Sequence, residues 1–365
     1  MRLEFQFTLK EVFMRRLIAV SAIAASALLA GCAQAPTPTA TTDATAPDYC
    51  ARMVTNSGGL DDRSFNQSSW EGLQAAATTY NIDTDAIVST SETDLAPNVS
   101  QAVATGCQFV LTVGFELADA TLAEATANPD VHFAIVDEVV DAPNVKPIVF
   151  DTAQASFLAG YLAAGVSKTG IVATFGGGNQ PPVTLFMDGF VDGVAMYNDK
   201  HDTAVEVLGW NKDSQDGSFT GDFEDVNKGK ALAQSFIDQG ADIILPVAGQ
   251  VGQGAAAAAI ETPGVSIIWV DNDGYVTLPT QFQSVVLTSV LKNTSAAVVE
   301  TIGADLDGTF DNSAFVGTLK NGGVEIADFH DQAALVSPEL VDELDQIRAA
   351  IIAGIIAVEG PSSPQ

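Results

Sequence analysis

A strand, a loop and a helix follow one another in the sequence ARMVTNSGGLDDRSFNQSSWEGLQAAATTY, residues 51–80. The run 51–55 is apolar, as in a buried strand. Four side chains recur at helical spacing on one face of the stretch 70–80: Trp70, Leu73, Ala77 and Tyr80. The loop between them contains glycines, which allow a close backbone approach, and carries acids and amides beside one aromatic ring. The stretch predicts a βα unit with a polar loop at the carboxyl end of its strand.

The same alternation recurs along the chain. Amphipathic stretches with helical period, such as 228–239 and 338–353, lie between short β-rich runs. These runs are 51–55, 85–88, 109–113, 131–136, 145–150, 170–175, 204–208, 243–247, 266–270 and 285–288. The βαβ rhythm predicts an α/β fold with parallel sheets, and so many strands favour two doubly wound lobes over a single sheet.

The charge balance excludes several classes of partner. The 365 residues include 15 Lys and Arg against 46 Asp and Glu, a formal net charge of −31. Nucleic acid binding requires clustered basic side chains, so we predict no nucleic acid partner and no direct adhesion to anionic lipid headgroups. Three cysteines exclude a disulfide-dense scaffold and a four-cysteine zinc site. We predict neither a metal nor a cofactor.

An export signal is predicted near the amino terminus. A pair of arginines precedes the apolar stretch 17–30, which is too short to span a bilayer. The stretch runs into the sequence LAGC, residues 29–32, which resembles a bacterial lipobox. We therefore predict a lipoprotein signal peptide over 1–31 and a lipid on Cys32. The true start is expected at Met14, because the acidic residues before it suit a signal poorly.

The segment 32–48 is rich in threonine and proline and poor in bulky apolar side chains. Such a segment cannot bury enough surface to order itself, so we predict a flexible tether. The folded body would then be anchored by lipid to the cell membrane, on its extracytoplasmic face.

Cys50 and Cys107 each open an apolar run that is typical of a strand. If the two strands are neighbours in a parallel sheet, their starts lie side by side, and export makes a disulfide chemically possible. Two buried free thiols are the alternative, and the sequence leaves both open.

Polar side chains follow most of the predicted strands. In doubly wound folds, ligands bind beyond the carboxyl ends of the strands. The polar segments at these ends include 114–116, 137–138, 249–254 and 271–273. A cleft with carboxylates, amides, one lysine and a few aromatic rings suits a small, neutral, hydroxyl-rich ligand with a flat ring.

A family resemblance rests on motifs that occur in a fixed order along the chain. They are GGLDDRSFNQSSWEG (58–72), DTAQASFLAGYLAAG (151–165), FMDGFVDG (186–193), FTGDFEDVNKG (219–229), VAGQVGQG (247–254), VDND (270–273) and LTSVLK (287–292). The motifs resemble those of the basic membrane protein family, the PnrA-like substrate-binding lipoproteins of ABC transporters. The first motif is specific, whereas the glycine-rich ones alone would be weak.

The resemblance implies a type I periplasmic-binding-protein fold, with two doubly wound lobes joined by a three-crossover hinge. We expect the first lobe over 49–152 and 274–308 and the second over 153–273 and 309–365. The implied function is capture of a nucleoside, first of all a purine nucleoside, in the cleft between the lobes. The implied partners are the permease and ATPase subunits of an ABC importer, and we expect a monomer.

The family pattern also suggests the ligand-binding residues. They are Asn56, Asp62, Phe65, Asn66, Asp137, Gly249, Asp271 and Lys292. Phe65 would stack on the base, and the two asparagines would bond its edge with help from Asp137. Asp271 and Lys292 would hold the ribose hydroxyls. Position 56 is commonly Asp in the family, and the Asn found there leaves the base preference open because an amide also donates hydrogen bonds.

Other interpretations stay open on the residues alone. Asp62 can cap the following helix, and Lys292 can be a solvated helix lysine. No catalytic residue is assigned, because His132, His201 and His330 are far apart and neither a nucleophile elbow nor a P-loop occurs. A nucleoside- or sugar-processing hydrolase, a binder of another small polar ligand such as a sugar, and an adhesive role are the alternatives.

Overall fold

The computed structural model describes residues 48–364. The predicted signal peptide over 1–31, the lipidation site Cys32 and the predicted tether apart from Asp48 lie outside the described residues. No helix within the described range is long and apolar enough to cross a membrane.

The described residues form fourteen strands and ten α-helices, numbered in chain order. The strands are β1 Cys50–Thr55, β2 Asp83–Ile87, β3 Phe109–Val113, β4 His132–Val136, β5 Val145–Phe150, β6 Ile171–Gly176, β7 Glu206–Leu208, β8 Trp210–Asn211, β9 Asp216–Gly217, β10 Ile243–Val247, β11 Ser266–Asp271, β12 Val286–Lys292, β13 Phe315–Gly317 and β14 Val324–Ile326. The helices are α1 Phe65–Tyr80, α2 Leu95–Ala104, α3 Ala118–Ala127, α4 Thr152–Val166, α5 Pro181–His201, α6 Val226–Asp238, α7 Gly252–Glu261, α8 Gly274–Thr277, α9 Thr294–Leu306 and α10 Pro338–Ile352.

The strands build two six-stranded sheets and one short hairpin, β8–β9. The first sheet has the order β2-β1-β3-β4-β5-β13, and all of its strands run parallel. The second has the order β7-β6-β10-β11-β12-β14, in which β14 alone runs antiparallel. The central strands β3, β10 and β11 are buried at every residue, as expected for parallel sheets covered on both faces. The predicted α/β class with two doubly wound lobes is confirmed.

The chain passes between the two sheets three times, as the predicted hinge requires. It leaves the first sheet at Asp151, returns at Asn293 and crosses again over 318–323. Backbone hydrogen bonds join these passages. The Asp151 N–H donates to the Gly317 carbonyl at 2.8 Å, and the Asn293 N–H donates to the Gly323 carbonyl at 2.8 Å.

The expected lobe boundaries differ from this strand order in two places. The expected first lobe included 274–308, but β12 within that range pairs with β11 in the second sheet. The expected second lobe included 309–365, but β13 pairs with β5 in the first sheet. An apolar run predicts a strand without indicating its partner, because pairing depends on residues distant in the sequence.

Helices α4 and α5 pack at backbone contact. Glycines lie where any side chain would clash: a Cβ at Gly160 would be 2.0 Å from the Phe190 carbonyl oxygen, and one at Gly193 would be 2.0 Å from that of Phe157. The small residues therefore fix the position of α5 on the second sheet. This matters for the site, because the first turns of α5 carry Phe186 into it.

A disulfide joins Cys50, at the start of β1, to Cys107, just before β3. The two strands are parallel neighbours with Ala51 opposite Phe109, and the cysteine Cα atoms are 4.9 Å apart. Of the two alternatives that the sequence left open, the structure contains the disulfide.

Candidate functional site

A cavity lies where the carboxyl ends of the two sheets face each other. Its empty space, counted together with the part that is open to solvent, is about 620 Å³. The first lobe contributes residues that follow β1, β3 and β4, namely Asn56, Gly58, Asp62, Phe65, Phe115, Glu116 and Asp137. The second lobe contributes Pro182, Val183, Phe186, Phe223, Val247, Ala248, Gly249, Gln250, Val270, Asp271 and Lys292. The rule that ligands bind beyond the carboxyl ends of the strands, called here the strand-end rule, therefore predicted where the cavity lies.

Lys292 is a buried cation held between carboxylates of both lobes. Its side chain is 2% exposed and forms an ion pair with Asp137 of the first lobe. Its Nζ atom also lies 3.7 Å from Oδ1 of Asp271, in its own lobe. The Ser64 hydroxyl donates to the second oxygen of Asp271. Because a carboxylate accepts about four hydrogen bonds, both aspartates keep capacity for donors from a ligand.

Both aspartates have a left-handed backbone at the point where their strands end. The φ angle is +65° at Asp137 and +67° at Asp271. Few side chains adopt this conformation, and aspartate tolerates it better than most. Burial raises the pKa of Asp137, while the nearby Lys292 opposes the rise. The carboxylate is thus poorly hydrated, and further hydrogen-bond donors would stabilise its charge.

Aromatic rings surround the lysine. The Nζ atom of Lys292 lies 4.8 Å from the ring centroid of Phe65, 5.3 Å from that of Phe150 and 5.9 Å from that of Phe186. Phe65 is the first residue of α1, which begins five residues earlier than the predicted 70–80. Its side chain is only partly buried and lines the cavity, so part of the ring surface can contact a ligand.

Asp62 fixes the loop that presents Phe65. Its Oδ1 accepts from the backbone N–H groups of Ser64 and Gln67 at 3.0 Å each, and its Oδ2 accepts from that of Asn66 at 2.8 Å. These bonds satisfy amides of the first helical turn, which explains the earlier start of α1. Burial raises the pKa of Asp62 to about 6, although the three bonds favour its charged form. Asp62 lines the cavity, but its own loop already supplies three of the about four hydrogen bonds that a carboxylate can accept.

A second polar group consists of Glu116, Asn56 and Asn66. The Asn56 Nδ2 donates to Glu116 Oε1 at 3.4 Å, and the Asn66 Nδ2 donates to Asn56 Oδ1 at 2.8 Å. Gly114 makes room for the carboxylate, since a Cβ there would lie 2.6 Å from Glu116 Oε2 and 3.2 Å from Asn56 Nδ2. Its φ of +115° also requires glycine. Burial raises the pKa of Glu116.

The structure brings the expected ligand residues together. All of them except Asn66 line the cavity, and Asn66 is bonded to Asn56, which does. The sequence did not assign Glu116, Phe186 or Phe223. Glu116 obeys the strand-end rule and could have been included, whereas Phe186 lies in α5 and Phe223 in the loop before α6, where that rule gives no signal.

The three histidines lie outside the cavity. Each histidine contacts a carboxylate, and none of the three lines the cavity. Over residues 48–364, no group of three or more His, Cys, Asp or Glu side chains could hold a metal ion.

Two curated relatives match the chain over much of its length. The chain is 33% identical over 364 residues to the "ABC transporter nucleoside-binding protein BmpA" of Lactococcus lactis, covering 94% of this chain and 99% of the relative. It is 31% identical over 251 residues to "Basic membrane protein B" of Borrelia garinii, covering 66% of this chain and 69% of that one.

Solved structures and a family model agree with these relatives. A solute-binding protein of an ABC transporter system from Aeropyrum pernix superimposes with a TM-score of 0.76 at 22% identity, covering 86% of this chain and 94% of that one, which supports the fold alone. The model of the ABC transporter substrate-binding protein PnrA-like family matches residues 51–361. The chain therefore belongs to the PnrA-like family of ABC transporter substrate-binding proteins.

Proposed function

We propose that this chain is the lipid-anchored, extracytoplasmic binding component of an ABC importer, and that its cavity captures a nucleoside, first of all a purine nucleoside. One observation carries the proposal: a buried Lys292 lies between Asp137 and Asp271, one from each lobe, beside the ring face of Phe65. A nucleoside combines a hydroxyl-rich sugar with a flat base, and this group offers a partner for each.

The charged group suits the sugar. The family pattern assigned Asp137 to the edge of the base, but its ion pair with Lys292 favours a role at the sugar. Asp137 and Asp271 would accept hydrogen bonds from the vicinal ribose hydroxyls, and Lys292 would donate to the same oxygens. Charge-assisted hydrogen bonds are shorter and stronger than neutral ones, particularly where water is excluded. The ring of Phe65 would stack on the base, and the amide group around Asn56 would contact its edge.

Ligand capture would be coupled to closure of the lobes. The first lobe already contacts the second through Ser64, whose carbonyl accepts from Asn272 Nδ2 at 3.0 Å, and through Arg63, whose carbonyl accepts from Trp269 Nε1 at 3.1 Å. A sugar bound to Asp137 and Asp271 would add bonds to both lobes at once. Such a ligand binds the closed form better than the open form and shifts the population toward it.

The remaining parts of the proposal concern delivery. The relative from Lactococcus lactis is named as a nucleoside-binding protein of an ABC transporter, which supports the same ligand class for this chain. The closed form would dock, as a monomer, on a permease served by an ATPase. A lipid on Cys32 would keep the acidic body at the membrane, where its charge alone would not hold it.

Isothermal titration calorimetry with a panel of nucleosides tests the ligand class, with free ribose, glucose and amino acids as controls. We expect one-to-one binding of at least one purine nucleoside and no binding of amino acids. Chromatography of the same mixtures after incubation should show intact nucleoside; release of free base would favour a hydrolase. Binding of sugars with no binding of nucleosides would overturn the proposal in favour of a sugar-binding protein.

A further inference from the structure

Three polar side chains form a row along one wall of the cavity. Glu116 Oε1 accepts from Asn56 Nδ2 at 3.4 Å, and Asn56 Oδ1 accepts from Asn66 Nδ2 at 2.8 Å. Glu116 and Asn56 line the cavity directly. Asn66 is 1% exposed and lies behind Asn56.

The carboxylate fixes the direction of every bond in this row. An ionised carboxylate only accepts hydrogen bonds, so Asn56 must turn its amide nitrogen toward Glu116 and its oxygen toward Asn66. Asn66 must then donate, which turns its own oxygen away. The orientation of both amides thus follows from this charge together with the Gly58 N–H, which donates to Asn56 Oδ1 at 3.4 Å.

This arrangement leaves acceptors without donors. Among the described residues, neither Glu116 Oε2 nor Asn66 Oδ1 has a hydrogen-bond partner, and both atoms are buried. Buried polar atoms are nearly always satisfied in native proteins, and of these two residues only Glu116 lines the cavity, so its free oxygen is the one that indicates a ligand donor. The wall is therefore complementary to a ligand edge that donates.

We infer that Glu116 is a specificity-determining residue that selects nucleosides whose base presents a ring N–H donor on its edge. The inference rests on the proposed function, namely that the ligand is a nucleoside. Guanine presents a ring N–H next to an exocyclic amino group, and hypoxanthine presents the ring N–H alone. Adenine also carries an exocyclic amino group, but the ring nitrogen beside it is an acceptor and would face the acceptors of the wall.

Calorimetry on the full-length chain at pH 7.5 tests the inference with guanosine, inosine, adenosine and 1-methylguanosine, in which the ring N–H is blocked. We expect guanosine to bind at least tenfold more tightly than adenosine and than 1-methylguanosine. Glu116→Gln should reduce the guanosine-to-adenosine ratio at least tenfold, because a glutamine amide can donate a hydrogen bond to the adenine ring nitrogen, whereas the carboxylate only accepts. Glu92→Gln is the matched control; Glu92 is exposed, lines an adjoining cavity with Glu116 and should leave the ratio within twofold.

The outcomes separate this inference from the proposed function. If the wild-type chain binds nucleosides but the ratio is near one, or if Glu116→Gln leaves it unchanged, Glu116 does not select the base and only this inference is overturned. If no nucleoside binds, both fall. Thermal unfolding checks that Glu116→Gln folds, and if it does not, the comparison of guanosine with 1-methylguanosine on the wild-type chain decides.

Discussion

Replacing Lys292 by methionine is the sharpest test of how the cavity is held together. The lysine side chain is 2% exposed and its partner Asp137 is 10% exposed, so the pair is shielded from solvent. Removing one partner of a buried ion pair leaves an uncompensated charge and typically costs about 3–5 kcal/mol. Asp271 would lose the same neighbour. Because methionine preserves most of the apolar stem, the expected loss of unfolding free energy reflects the missing charge rather than a new cavity.

The loss should depend on pH with a definite sign. Burial already raises the pKa of Asp137, and loss of Lys292 would raise it further. A carboxyl group whose pKa is higher in the folded state binds protons more tightly when folded, so acid favours folding. The free energy of unfolding that Lys292→Met loses should therefore reach its full value above the folded-state pKa of Asp137. It should shrink as pH falls toward the unfolded value of about 4.

Urea denaturation followed by tryptophan fluorescence at pH 7.5 and pH 5 measures both effects. Lys230→Met is the matched control, because Lys230 pairs with Glu261 at the surface. This substitution should lower the free energy of unfolding by no more than about 1 kcal/mol. The double variant Lys292→Met with Asp137→Asn should recover much of the stability by removing the orphaned charge. A loss for Lys292→Met no larger than for Lys230→Met, or one that grows as pH falls, would refute the reasoning.

Three further predictions concern the ligand, the membrane and the helix pair. Phe65→Ala and Asp271→Ala should each weaken nucleoside binding at least tenfold in calorimetry while the fold, judged by circular dichroism, survives; unchanged affinity in both would refute the site. Cys32→Ser should move the protein from the membrane fraction to the soluble fraction, and retention would contradict the lipid anchor. Gly193→Ala should lower the free energy of unfolding by about 1–3 kcal/mol, because its Cβ would meet the Phe157 carbonyl oxygen at 2.0 Å; a thermal midpoint equal to that of wild type would contradict this.

The location of the site could be predicted because it follows from local pattern and a general rule. Apolar runs identify strands, and in parallel sheets the carboxyl ends of neighbouring strands meet at one edge. Asn56, Asp137 and Asp271 are far apart in the sequence, yet each ends or directly follows a strand. Asn56 and Asp137 therefore meet at the edge of the first sheet, and Asp271 joins them because the carboxyl ends of the two sheets face each other.

Features that depend on distant contacts could not be predicted in the same way. β12 had the apolar pattern of a strand, but its membership of the second sheet follows from pairing with β11. The early start of α1 depends on Asp62, whose carboxylate reaches three backbone amides only in the folded loop. Phe186 lies in the cavity because glycines let α5 approach α4 closely, and no periodicity in the sequence marks a helix for that role.

The charge of the cavity links the composition of the chain to its choice of ligand. Asp62, Glu116, Asp137 and Asp271 line it, whereas Lys292 is the sole Lys or Arg among its lining residues. Because electrostatic interactions strengthen where water is excluded, this excess of carboxylates repels anionic ligands. A phosphorylated nucleotide would bring further negative charge into the same space. A nucleoside instead brings neutral hydroxyl and N–H groups, from which the carboxylates can accept hydrogen bonds. If the ligand is a nucleoside, as proposed, the four carboxylates and single lysine of the cavity therefore favour it over its phosphorylated form.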